Sequence, residues 1–322
     1  MHLSADTDNQ SNEPRVWAIG GGKGGVGKSV ICTALAMSLA RQGERCVVID
    51  ADLGGANLHT FLGMPNPRHT LSDLFRKKVD GLEDILLPTP YENLSLVSGT
   101  RAMLDMANLS YQQKMKMIRQ IFALPADHIF LDLGAGSSYN VLDFFIAAND
   151  GLLVIMPTPT SIENAYHFLR AVYFRKLRKV MKRLGVDELV NSSLNEKVRG
   201  GIRTPQDLMA DLKQRDPGVG NAIALEMEQF SPCLIVNQAQ RNENSELADE
   251  IAMACRDFFG IEVKVSGVVR ADERVLISLN SRRPVLDMFP NSPFAEDVQR
   301  IVRKMTPDTE AEHERRSTAA QL

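Results

Sequence analysis

The stretch VWAIGGGKGGVGKSV (Val16 to Val30) decides how the rest of the chain is read. Val16–Ile19 is apolar throughout, as in a strand covered on both faces. The amphipathic pattern Ser29–Arg41, ended by Gly43, reads as a helix. The residues between, Gly22-Lys23-Gly24-Gly25-Val26-Gly27-Lys28-Ser29, fit G-x-x-x-x-G-K-[ST] in the strand–loop–helix setting that a phosphate-binding loop requires. Glycine permits the left-handed backbone and the close approach to phosphate that a Cβ would block. The loop amides and the helix N-terminus then face the anion. Lys28 is placed to reach the β- and γ-phosphates and the Ser29 hydroxyl to sit on Mg²⁺. Lys23 begins the loop and cannot easily fold back onto its own nucleotide, so it either stays solvated or finds the phosphates of a neighbouring subunit.

Outward from this stretch, further apolar runs occur at Cys46–Ile49, Leu94–Val97, Ile129–Leu131, Leu152–Met156, Leu234–Val236 and Val265–Val269, most followed by helical patterns such as Tyr111–Phe122. Alternating β and α units predict an α/β fold with a doubly wound, mostly parallel sheet and helices on both faces. A single domain over 15–305 accounts for the pattern, between polar tails at 1–14 and 306–322 expected to be disordered. TSIENAYHFLRAVYFRKLRKVMKRL opens with the capping-box pattern Thr160 to Glu163 and carries Arg170, Arg175, Lys176, Arg178, Lys179, Lys182 and Arg183. The stretch from about 175 to 230 reads as a helical insertion. Its basic side is read first as a solvated face; nonspecific DNA or a membrane or protein surface is not favoured.

The chain of 322 residues carries a formal net charge of −3, so no global basic field points to nucleic acid. Four scattered cysteines, without C-x-x-C spacing, suit buried thiols in a reducing cytoplasm. His59, His69, His128 and His167 lack metal-ligand spacing with one another. There is no signal-peptide pattern at the start and no apolar run near the ~18 residues of a transmembrane segment, so a cytoplasmic location is expected.

VVIDADLGGANLHTFLG and HIFLDLGAGSSYN place Asp50, Asp52 and Asp132 at or just beyond strand ends. Ligands of open α/β sheets bind outside the carboxyl ends of strands, which puts all three near the loop. Carboxylates there hold Mg²⁺ or its waters, and Asp52 is able to orient an attacking water. Alternatively, any one of them caps the turn that follows.

GKGGVGKS resembles the deviant Walker A motif, K-G-G-x-x-G-K-[ST], of the MinD/ParA P-loop ATPases within the signal-recognition-particle/MinD/BioD class. The resemblance spans about Val16 to Met305. It implies ATP and Mg²⁺ as cofactors, contacts from Gly22, Lys23, Gly24, Gly25, Val26, Gly27, Lys28, Ser29 and Val30, and catalytic roles for Lys23, Lys28 and Asp52. Lys23 would cross to a partner's phosphates in an ATP-bound homodimer. D-x-D-x-G-x-x-N-L is similar to the family's switch I, with Asp50 near Mg²⁺, and DLGAG to its switch II, with Asp132 as the Walker B acid. LIVNQ makes Asn237 the residue that reads adenine, and Gly267–Val275 resembles a later nucleotide-side loop. GGANLHTFLG and PTSIENAY are similar to the FlhG/FleN-like branch. The D-Q-A-x-x-L-R activator motif of that branch is absent, and the apolar face Phe294, Val298, Ile301, Val302 and Met305 reads as a last core helix.

The expected function is a slowly hydrolysing ATP-dependent dimerisation switch that controls the position or number of a cellular assembly. An unidentified protein partner would stimulate it. An ATP-dependent ligase or amidase of the cobyrinic acid synthase or dethiobiotin synthetase type lacks a glutaminase nucleophile setting here. An iron–sulfur carrier lacks its C-x-x-C. A nucleotide-binding regulator without hydrolysis remains an alternative.

Overall fold

In the computed structural model, residues 13–52, 55–99, 109–186, 204–240 and 244–306 are described, with 244 and 245 by backbone alone. The chain runs β1 (Arg15–Gly20), α1 (Lys28–Ala40), β2 (Cys46–Ala51), α2 (Leu58–Phe61), α3 (Leu71–Phe75), β3 (Leu86–Pro88), β4 (Leu94–Val97), α4 (Tyr111–Phe122), β5 (His128–Leu133), α5 (Tyr139–Ala147) and β6 (Asp150–Ile155). It continues through α6 (Pro159–Leu184), α7 (Pro205–Arg215), α8 (Pro217–Glu228), β7 (Cys233–Ala239), α9 (Asn244–Phe259), β8 (Lys264–Arg270), α10 (Glu273–Asn280), α11 (Val285–Met288) and α12 (Pro293–Met305).

The eight strands form one sheet in the order β3-β4-β2-β5-β1-β6-β7-β8. Every neighbouring pair is parallel except β3 with β4. The apolar strands feed two cores. Val16 and Ala18 enter one, with α4, α5 and α6, whereas Trp17 and Ile19 enter the other, with α1 and α12. Burial on both faces is why these strands are apolar throughout instead of alternating. The register sets Ile19 and Asp50 each against Asp132, so the phosphate loop and two carboxylates leave the sheet side by side.

Helix α12 buries Phe294, Val298, Ile301, Val302 and Met305, as expected of a core helix. All four cysteines are buried free thiols. Pro14 and Thr306 are buried; most of the two expected tails lies outside the described residues. In the expected insertion, 187–203 also lie outside them. Helices α7 and α8 bury Leu208, Leu212, Ile223 and Met227 in the same core as α6.

Two expectations are corrected, and one strand was missed. Helix α6 starts at Pro159 with Thr158 as N-cap and no side-chain capping bond, so Thr160 and Glu163 form no capping box. Pro159 fixes the first helical position, and the pattern falls two residues inside the helix. The basic side of α6 is not simply solvated. Arg175 and Lys179 pair with Asp143, Arg183 pairs with Glu226, and Lys176 lies 5.1 Å from the centre of the Phe230 ring. Strand β3 was not anticipated: three residues ending in proline give no periodicity to read.

Candidate nucleotide-binding site

The loop after β1 takes its shape from glycine at two points. Gly25 and Gly27 have φ of 79° and 93°. Gly27 is the N-cap of α1, has no side chain to cap it, and is followed by no acidic residue in the first turn. The first amides of α1 are therefore open to an anion, reinforced by the helix dipole. A Cβ at Gly22 would lie 2.0 Å from the Asn164 carbonyl oxygen, so the start of the loop sits against the second turn of α6.

Lys28 is buried beside the carboxylates. Burial lowers its pKa, and the charges of Asp132 and Asp52 work against that shift. Asp132, at the end of β5, is pushed up to about 7, first by burial and further by Asp50; a hydrogen bond from Ser29 and the charge of Lys28 oppose the rise. Its Oδ1 is buried with no hydrogen-bond partner. Asp50 is raised to about 6, mainly by burial, although backbone amides of Leu58, Asn57 and Asp52 stabilise its charge. The Leu58 amide donates to Asp50 Oδ2 at 3.0 Å and the Asp52 amide to Oδ1 at 3.3 Å. Asp50 thus also ties the segment that follows β2 back onto the strand. Asp52 is half-buried, and a Cβ at Gly134 would lie 3.1 Å from its Oδ1. The Gly136 amide donates to the Gly21 carbonyl at 3.3 Å, which joins the loop after β5 to the phosphate loop.

This donor set fits Mg²⁺ with a phosphate ligand: a hydroxyl, an orphaned carboxylate oxygen and a lysine beside exposed helix amides. Among the described residues no cluster of three His, Cys, Asp or Glu side chains is placed to hold a metal. An ion that borrows phosphate and water oxygens requires none.

A cleft of about 960 Å³ runs from Gly25, Gly27, Lys28, Ser29 and Val30 to Asn237 and to Arg270–Glu273 and Val275, the end of the loop segment singled out in the sequence. Arg270 holds that segment, bonding to Asp297, Glu296 and the Pro293 carbonyl of α12. Asn237 is buried, and its Nδ2 donates to the Val26 carbonyl at 2.8 Å. A Cβ at Gly27 would lie 2.2 Å from that nitrogen.

Gly22, Lys23 and Gly24 do not line the cleft, and Val26 is packed beneath the loop. Lys23 is exposed, with Nζ donating to Thr160 Oγ1 at 3.3 Å. Cleft residues that sequence reasoning missed include Phe61, Gln238, Leu276, Leu279 and Phe294. Gln238 has φ of 56° inside β7 where the β7–β8 register shifts, a strained bulge with no local sequence signal.

Comparisons with known proteins show the family and the fold. The family model described as the CobQ/CobB/MinD/ParA nucleotide binding domain matches residues 17–285. The antiactivator FleN of Pseudomonas aeruginosa is 26% identical over 293 residues, covering 90% of this chain and 86% of FleN. The flagellum site-determining protein YlxH of Helicobacter pylori is 32% identical over 161 residues, 49% of this chain and 53% of YlxH. Among solved structures, the septum site-determining protein MinD complexed with Mg-ADP, from Pyrococcus horikoshii, superposes with a TM-score of 0.62 at 18% identity, covering 91% of this chain and 96% of MinD. The chain shares its fold with this MinD structure, and it belongs to the CobQ/CobB/MinD/ParA nucleotide binding family.

Proposed function

We propose that this chain is an ATP-hydrolysing switch that dimerises when it holds ATP and so controls where, or how many times, a cellular assembly is built. The observation that carries the reading is the contrast between two lysines of one loop. Lys28 is buried at the cleft, whereas Lys23 is exposed outside it. An ammonium in that position lies outside its own cleft, and giving up its bond to Thr160 lets it meet the phosphates of a second copy. The names of the relatives, an antiactivator, a flagellum site-determining protein and a septum site-determining protein, support a positioning role.

In this reading the open amides of α1 and Lys28 hold the phosphates. Ser29, Asp132 and Asp50 hold Mg²⁺ or its waters, and the ion, when bound, neutralises phosphate charge. Asp52 orients the attacking water, and Lys23 of a second copy adds positive charge at the phosphates. Asn237 and the Arg270–Val275 segment enclose the adenine. A protein partner accelerates slow basal turnover, and the molecule works in the cytoplasm. Among the described residues no helix is long and apolar enough to cross a membrane.

Solution mass by light scattering tests this with Asp52→Ala, which should trap the ATP state. The expected result is a dimer with Mg-ATP, a monomer with Mg-ADP or without nucleotide, and loss of the dimer on adding Lys23→Ala. A monomer in all three conditions would discard the trans-lysine reading. Unchanged turnover in Asp52→Ala would favour a regulator without hydrolysis.

A further inference from the structure

Asp143 of α5 carries more positive charge than it can neutralise. Lys114 Nζ of α4 lies 2.5 Å from its Oδ2, Arg175 of α6 donates to both oxygens at 2.9 and 2.8 Å, and Lys179 Nζ lies 2.9 Å from Oδ1. Among the described residues, no second carboxylate pairs with any of the three. Three cations therefore share one anion. The Lys114 side chain is only 7% exposed and that of Asp143 3%, whereas Arg175 and Lys179 are 27% and 40% exposed, so the surplus charge is presented toward solvent. A site kept for stability alone would need no more than one or two of these cations. The surplus leaves room for another anion.

The surroundings indicate what kind. Arg175 lies 4.8 Å from the centre of the Tyr139 ring, and Tyr139 is 64% exposed. Tyr111, one turn before Lys114 on the same face of α4, is 72% exposed. Exposed tyrosines beside a fixed guanidinium are the composition of a protein-interface hot spot. A planar carboxylate matches the remaining N–H groups of Arg175, and the exposed tyrosines suit the surface of a protein better than the run of phosphates on a duplex or a bilayer.

We propose that the Lys114–Arg175–Lys179 cluster, flanked by Tyr111 and Tyr139, binds a glutamate or aspartate side chain from an acidic segment of a partner protein. Resting on the switch reading above, this site gives that partner a direct hold on nucleotide state. Tyr139 is the residue after Ser138, the N-cap of α5, and the loop before it follows β5, the strand that carries Asp132, and bonds to the phosphate loop at Gly21.

The test is fluorescence anisotropy of a labelled octa-glutamate peptide titrated with the full chain at low salt, with Mg-ATP, with Mg-ADP and without nucleotide. Saturable binding is expected to weaken about tenfold in Lys179→Gln, as for loss of one charge-assisted contact. It should hold its strength in Arg178→Gln, where an exposed cation lies outside the cluster. Tyr139→Leu should also weaken it. Lys179→Gln should melt no lower than the parent chain, because it relieves repulsion around Asp143. No binding, equal loss in Arg178→Gln, or a lower melting temperature with unchanged binding would each overturn the proposal. So would preference for a duplex oligonucleotide or for phosphatidylglycerol vesicles over the peptide. Peptide binding is read without hydrolysis or dimerisation, so a failure of the switch reading would show only as indifference to nucleotide.

Discussion

Burial raises the carboxyl of Asp132 to about 7 and that of Asp50 to about 6, so neither ion is at ease in the nucleotide-free fold. An acid whose folded pKa lies above its unfolded value adds stability that is fully present below about pH 4 and is lost as pH rises through the folded value. The nucleotide-free protein should therefore lose stability from these two groups between about pH 4 and 7. Asp132→Asn, which cannot ionise, should melt several degrees higher than the parent at pH 8, from roughly 2–4 kcal/mol, and near it at pH 4. The same variant should bind Mg-ATP at least about tenfold more weakly. Thermal unfolding at the two pH values and a nucleotide titration check this; an equal shift at both pH values would remove the electrostatic cause. Lys28, Ser29, Asp50 and Asp132 were legible because a loop motif and two strand ends announce them. The Asp143 cluster was not, because Lys114 and Arg175 lie 29 and 32 residues from it, Lys179 is farther still, and none leaves a period in the sequence.

Between elements, the phosphate loop fits closely against α6. Gly22→Ala would drive a Cβ into the Asn164 backbone, which has no flexible end to move aside. Loss of nucleotide binding is expected with a melting temperature lower by several degrees, read by titration and calorimetry. Unchanged affinity would mean that α6 yields. Long elements with strong patterns were legible: Tyr111–Phe122 is α4 to the residue, and the strand cores appear where apolar runs stand. Elements were lost where packing overrides local signal. The start of α6 was misread because Pro159 and Thr158 took the roles assigned to Thr160. Helix α10, whose Val275 and Leu276 line the cleft, is capped by Asp272, a residue read only as part of a loop.

Across the whole molecule, one sheet joins both cores, and its order returns repeatedly to neighbours far apart in sequence. At one end it stops at β3, three residues long, antiparallel and closed by Pro88. Proline has no amide hydrogen to offer another strand, and a short edge presents little ladder to copy. The end of the sheet is thus a brake on aggregation. Pro88→Val should leave nucleotide binding intact yet raise the rate of light-scattering growth and dye-binding fibrils on mild heating, and an unchanged rate would show that β3 is guarded by its shortness alone. If association is confined to one face, as in the proposed switch, the other edges of the sheet have to refuse company.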